Sequence, residues 1–283
     1  MRTSSDATTQ DLREAYLDLL KRTLTRSAFP ETPYRPISAT SSKAKSRLNH
    51  LIQSVLRPRG LELVHRSPTD PALRERGGDL PHEAETMIGL KRLDNLEHCI
   101  VGVLRDGVPG DLVETGVWRG GATIFMRGVL MAYGVKDRMV WAADSFEGLP
   151  RPDADRYPAD KGSLLYADSY LAVSLEQVKI NFRRYGLLDD QVRFLKGWFR
   201  DTLPNAPIDN IAVLRLDGDL YESTMDGLQY LYSKLSSGGY VIVDDYYSWE
   251  TCRLAVTDYR EVNGIKDPML DIDQDAVVWQ RTR

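Results

Sequence analysis

Asp111-Leu-Val-Glu-Thr-Gly-Val-Trp-Arg-Gly-Gly121 reads as a short apolar strand, a tight glycine turn and the opening of a helix. Downstream the same alternation recurs. Further strands are expected at 139–143, 192–195, 211–216 and 240–243, with helices at 122–133, 175–185 and 225–234 between them. A closing pair of strands is expected at 268–272 and 276–280. Upstream, Met87, Leu90, Leu93, Leu96 and Ile100 recur at helical spacing and predict an amphipathic helix over 86–104. Short strands alternating with helices predict an α/β fold: a Rossmann-like, doubly wound, mostly parallel seven-stranded sheet with an antiparallel hairpin at its C-terminal edge. Ligands of such sheets bind outside the carboxyl ends of the strands, so the polar residues ending each strand are where chemistry is sought.

Residues 1–85 differ in character and read as an N-terminal helical extension ahead of a catalytic domain at 86–283. Leu12, Tyr16, Leu19, Leu20 and Leu24 predict a helix with Asp11 as its N-cap. The proline-rich run 29–36 stops that helix. A Ser/Ala/Lys-rich loop at 38–45, a short helix at 48–56 and a flexible polar stretch at 74–80 follow. This extension is either solvated or a lid or oligomer contact.

A net charge of −4 leaves no basic field for nucleic acid or an anionic membrane surface. No apolar run approaches a membrane span, and the N-terminus opens no signal-peptide core. Two cysteines are too few for a disulfide framework, which fits a cytoplasmic enzyme. The four histidines form neither a zinc motif nor a triad with a G-x-S-x-G serine.

The strand ends carry the candidates. At the first, Glu114, Thr115, Gly116, Trp118 and Gly120 form the turn into the helix. A dinucleotide fingerprint needs glycine where Trp118 stands, so close approach by a pyrophosphate is disfavoured. A phosphate-free cofactor such as S-adenosylmethionine tolerates that bulk, and Glu114 suits the cationic amino-acid end of such a molecule. At the second strand's end, Asp144 and Ser145 offer either an acceptor for ribose hydroxyls or a helix N-cap. At the third, Gly197, Trp198, Phe199 and Arg200 offer aromatic surface for an adenine or for the core.

The fourth and fifth strands end in Asp217-Gly218-Asp219 and Asp244-Asp245. If these strands are neighbours, four carboxylates converge, and such repulsion is relieved most simply by a hard divalent cation. Asp217, Asp244 and Asp245 are the expected Mg²⁺ ligands. Asp219, two residues along an extended backbone from Asp217, is the expected general base. Either cluster alone also reads as an ordinary Asp-rich turn. An Asp-x-Asp unit suits a metal-dependent glycosyltransferase too, and a nicotinamide oxidoreductase or an inactive binding module of this fold are further alternatives.

The runs DLVETGVWRGGAT, ADSFEGLP, SLEQVKINFRRYGLLDDQVRFLKGWFRDTLP, LRLDGDLYEST and GGYVIVDDY together resemble the macrocin O-methyltransferase family of the TylF, MycF and NovP type, whose members methylate deoxysugar hydroxyls during antibiotic biosynthesis. The resemblance spans about residues 86–283. It implies a class I S-adenosylmethionine-dependent methyltransferase fold, a magnesium requirement, a saccharide or other small-molecule acceptor, and a homo-oligomer (dimer or higher) whose N-terminal segment helps close the site. Residue by residue it implies that Asp217, Asp244 and Asp245 hold the metal and Asp219 is the base. It implies Gly116 at the methionine part of the cofactor, Asp144 at the ribose and Trp198, Phe199 and Arg200 at the adenine. Met87 matches a residue lying near cofactor and acceptor, or else packs in the core. A catechol-type phenol remains an alternative acceptor. The long polar segment 146–170 is expected to act as a lid.

Overall fold

The computed structural model describes residues 4–31, 34–36, 52, 54–66 and 70–282. Seven strands form its sheet: β1 (Asp111–Thr115), β2 (Val140–Asp144), β3 (Val192–Lys196), β4 (Ile211–Leu216), β5 (Leu235–Val243), β6 (Met269–Asp271) and β7 (Val277–Gln280). Their order is β3-β2-β1-β4-β5-β7-β6. The first five are parallel, and the β6–β7 hairpin adds to β5 antiparallel. β4 is buried at every position, as a central strand covered on both faces must be. Register matters most for function. Thr115 pairs with Leu216, and Leu216 with Val243. Gly116, Asp217 and Asp244 therefore leave the sheet side by side at one edge.

Helices cover both faces: α1 (Ser4–Leu24), α2 (Leu90–Arg105), α3 (Gly121–Ala132), α4 (Leu175–Arg184), α5 (Tyr221–Leu231) and α6 (Glu250–Val262). α2, α3 and α4 share a core with one face of the sheet, through Leu93, Leu96, Ile124, Phe125, Val178 and Phe182. α5 and α6 build the other core with Leu228, Leu231, Cys252 and Val256.

Several expectations change. α2 begins at Leu90, not 86, because Gly89 is extended (φ −86°, ψ 179°). Met87 therefore lies on the non-helical approach to α2. α1 starts well before Asp11, which is an interior helical residue and no N-cap. Its inward stripe is Leu17, Leu20 and Leu24, while Leu12 and Leu19 are exposed. That stripe joins the core beside α3, and Arg13 donates to the Ala132 carbonyl at 2.9 Å. α1 is thus a packed element and not a solvated tail. The start of the expected flexible stretch at 74–80 belongs instead to a capped helix, Pro71–Arg76. Asp70 accepts from the Ala72 and Leu73 amides, and Gly77 closes it in the left-handed conformation. Arg74 there is buried and ion-paired to Asp79 at 3.0 Å. The expected 38–45 loop lies outside the described residues, as does most of the expected 48–56 helix, of which 54–56 are helical. α6 was not anticipated at all.

Candidate active site

The turn after β1 fits tightly under β4. Gly116 has φ +85°, and a Cβ there would lie 1.6 Å from the Asp217 carbonyl oxygen. Trp118 is also left-handed, at φ +48°, which costs a non-glycine residue about 1–3 kcal/mol unless neighbours fix it. They do. Asp144 Oδ2 accepts from the Val117 and Trp118 amides at 2.7 and 3.4 Å. The Trp118 indole donates to the Tyr170 carbonyl at 3.0 Å, and Arg119 stacks over the Trp118 ring at 4.2 Å. Asp144 therefore ties the end of β2 to the β1 turn, and its Oδ1 accepts from Phe146 N at 2.6 Å.

Beyond this turn lies an open pocket. Met87, Gly116, Trp118, Asp144, Ser145, Trp198, Phe199, Arg200, Asp217 and Asp219 all line it. Six other candidates do not: Asp244 and Asp245, taken up below, and four more. Glu114 and Thr115 are buried in the sheet, Gly120 caps α3 at φ +90°, and Gly197 turns the chain at φ +142° behind Trp198. Glu114 in particular faces Arg215 and Thr123, not a ligand's amino group. Gly148, Leu149, Pro150 and Leu171 from the long segment also line the pocket. That segment is anchored where Asp160 caps α5, accepting from the Tyr221 and Glu222 amides at 2.7 and 2.9 Å. Tyr170 ties its far end to the Pro81 carbonyl at 2.5 Å.

The aspartate clusters do meet. One oxygen each from Asp217, Asp244 and Asp245 lie within 4.8 Å of one another. Asp219 reaches the pocket differently from expectation. It stands in a left-handed turn at φ +56°, not on an extended backbone, and its carbonyl accepts from the Thr251 hydroxyl at 2.9 Å.

Two cations that the sequence reading missed sit inside the cluster. Arg215, next to last in β4 and 2% exposed, donates through Nη1 to Glu114 and Asp217 at 2.6 and 2.8 Å and through Nη2 to Asp244 at 2.5 Å. Arg92 on α2 binds Asp244 at 2.7 Å, Asp273 at 2.8 Å and Asp275 at 2.7 Å. The signal was present: an arginine within the apolar run Ile211–Leu216 must have a buried acid to face.

The two arginines do not neutralise the site. Five buried or half-buried carboxylates (Glu114, Asp217, Asp219, Asp244, Asp245) surround them. Burial pushes Asp244 up, but Arg215 and Arg92 hold it below the ordinary carboxylate range. Burial raises Asp217 despite Arg215. Burial, then Asp219, Asp217 and Asp244, drive Asp245 well upward. Asp219 is pushed up to about 7 by burial and by Asp217 and Asp244. Asp245 Oδ2 is buried with no hydrogen-bond partner. An orphaned carboxylate oxygen, an excess of negative charge and an all-oxygen donor set fit a hard divalent cation.

Comparison with known proteins shows the family. The Macrocin-O-methyltransferase (TylF) family signature matches residues 13–281. The 8-demethyl-8-(2,3-dimethoxy-alpha-L-rhamnosyl)-tetracenomycin-C 4'-O-methyltransferase of Streptomyces olivaceus is 50% identical over 275 residues, 97% of this chain and 95% of that protein. The demethyldecarbamoylnovobiocin O-methyltransferase of Streptomyces niveus is 58% identical over 212 residues, 75% of this chain and 81% of that one. The solved structure of the O-methyltransferase NovP superposes with a TM-score of 0.81 at 49% identity, covering 96% of this chain and all of that one. The Asp-Gly-Asp unit is therefore not a nucleotide-sugar motif, and the nicotinamide alternative falls with it. The chain belongs to the macrocin O-methyltransferase family and is an S-adenosylmethionine-dependent O-methyltransferase.

Proposed function

We propose that this enzyme methylates a sugar hydroxyl, that of a deoxysugar on a glycosylated natural product, with Mg²⁺ at Asp217, Asp244 and Asp245 and with Asp219 as general base. One observation carries the catalytic part. A carboxylate pushed up to about 7 shares a pocket wall with Asp217, one member of the three-aspartate cluster, so it can receive a proton near neutral pH. The sugar acceptor is supported by the relative whose name states a rhamnosyl 4'-O-methylation and which is matched along nearly its whole length. When bound, S-adenosylmethionine supplies an electrophilic methyl group on sulfur, and a divalent cation lowers the acidity threshold of a nearby hydroxyl.

The chain's own residues do the rest. Asp219 takes the hydroxyl proton as the O–CH₃ bond forms and the S–CH₃ bond breaks, leaving a methyl ether and S-adenosylhomocysteine. Asp144 receives ribose hydroxyls. Gly116 gives the methionine portion room against the β1 turn. Trp198, Phe199 and Arg200 bound the adenine side, and Met87 packs near the transferring methyl. Leu149, Pro150 and Leu171 roof the pocket and keep bulk water from the sulfonium.

A homo-oligomer is part of this reading, supported by the exposure of Leu12 (67%) and Leu19 (56%) on the outer side of α1. Light scattering on the intact chain measures it. A cytoplasmic location is supported by two free, buried cysteines, Cys99 and Cys252. The deciding assay offers a panel of rhamnosides, other glycosides and catechols with labelled S-adenosylmethionine, in Mg²⁺ and in excess chelator. Methylation of a glycoside that is lost in chelator and restored by Mg²⁺ is expected. Preference for a catechol, or full activity in chelator, overturns the acceptor or the metal respectively.

A further inference from the structure

The turn after the aspartate pair carries aromatic surface that the core does not use. Tyr247 is 46% exposed and Trp249 40%. Large exposed aromatics on a well-ordered turn invite an explanation, since burying them would have been favourable.

This turn is held at many points. The Tyr247 amide donates to the Asp275 carbonyl at 2.9 Å and its hydroxyl to Asp271 at 2.8 Å. The Ser248 hydroxyl donates to Asp275 at 2.8 Å, and the Trp249 amide to the Asp245 carbonyl at 3.0 Å. The Tyr246 ring meets Tyr247 edge-on at 4.9 Å. Position is the second observation. The turn runs beside the acidic centre, since the Trp249 amide holds the Asp245 carbonyl and the Thr251 hydroxyl, two residues on, donates to the Asp219 carbonyl at 2.9 Å. Asp219 lines the pocket and Trp249 does not, so the indole extends the site outward past the base.

A saccharide ring has an apolar C–H face and a rim of hydroxyls. A rigid, wet indole beside a carboxylate matches both parts. Tyr and Trp supply large amphipathic contact area at low entropy cost. We propose that Trp249, with Tyr247 beside it, is the seat of the acceptor's sugar ring, with the C–H face on the indole and a hydroxyl edge turned to Asp219. This rests on the sugar-acceptor reading above.

Saturation-transfer NMR with methyl α-L-rhamnopyranoside as probe, on the full chain saturated with S-adenosylhomocysteine and Mg²⁺, tests the seat. Transfer to the sugar ring protons is expected for wild type and for W249F, which keeps an aromatic face. W249L is expected to bind the probe roughly tenfold more weakly while holding S-adenosylhomocysteine normally, which also reports folding. Equal probe binding in W249L, or no transfer in wild type, overturns the proposal. So does a W249L whose oligomeric mass changes while probe binding does not, since the aromatics then serve a subunit contact. Asp219→Asn separates the two readings. Its turnover tests the base, while the part of the indole is read as the further loss of probe binding that W249L causes within that same Asp219→Asn background.

Discussion

Asp219→Asn keeps the shape of the side chain and removes its capacity to take a proton. Turnover is expected to fall by roughly 10²–10⁴-fold, while calorimetry finds S-adenosylhomocysteine binding unchanged. Normal turnover would reduce Asp219 to one more carboxylate in the cluster. Asp226 makes a different prediction. It is 3% exposed by area, borders the pocket, and is pushed up to about 6 by burial and by Glu222. A carboxyl with a raised folded-state pKa binds more protons folded than unfolded, so it costs stability as pH rises from about 4 to about 6. Above that window the cost is constant, on the order of 1–2 kcal/mol once solvent reaching it through the pocket is discounted. Asp226→Asn should therefore raise Tm at pH 7 and lose that advantage below pH 4. A melting series whose benefit is the same at both ends refutes it. At this scale the sequence told which acids gather but not what they gather around. Arg215 and Arg92 come from elements far apart in the chain, and it takes the β4–β5 register together with the packing of α2 to bring both onto Asp244.

Gly116 shows what an element junction demands. Its left-handed backbone and its closeness to Asp217 leave no space for a methyl group. Gly116→Ala is expected to destabilise the fold by at least about 1–3 kcal/mol and to displace Asp217 enough to abolish methylation. Wild-type Tm and activity in that variant would show that the turn can relax. α1 offers the packing counterpart. Leu20 lies over Gly128 of α3, where a Cβ would meet it at 2.3 Å. Leu20→Ala should cost about 2–5 kcal/mol in denaturant unfolding, whereas Leu19→Ala on the exposed side should cost little. The strands were legible because apolar runs bounded by turn residues have few other fates. α6 was not, since aspartate, tyrosine and tryptophan ahead of it read as loop, and its buried stripe of Cys252, Ala255 and Val256 is short and weakly apolar. The start of α2 was misread for a related reason. Met87 continues the helical spacing of Leu90 and Leu93, but Gly89 interrupts the helix between them.

Across the whole molecule, a cation binding only the folded chain adds stability by mass action, about 2.7 kcal/mol at a hundredfold excess over Kd. Tm should therefore rise with Mg²⁺ and fall in chelator, and this difference should vanish in an Asp217→Asn, Asp245→Asn double variant. A wild-type Tm indifferent to both would remove the ion from the site. Among the described residues, no helix is long and apolar enough to cross a membrane. The fold class was readable from alternation alone, but the docking of α1 was not, since its exposed leucines carry the same spacing signal as its buried ones. Arg92 adds a matter of timing. Its partners Asp244, Asp273 and Asp275 follow it by 152, 181 and 183 residues. At about 5–20 residues per second of synthesis, that guanidinium waits roughly 10–40 s for its last anchors. Six of the seven strands, β1 to β6, are made within that interval, before the acidic centre is finished. The last two anchors of Arg92 therefore arrive late in synthesis, with the β6–β7 hairpin that carries them.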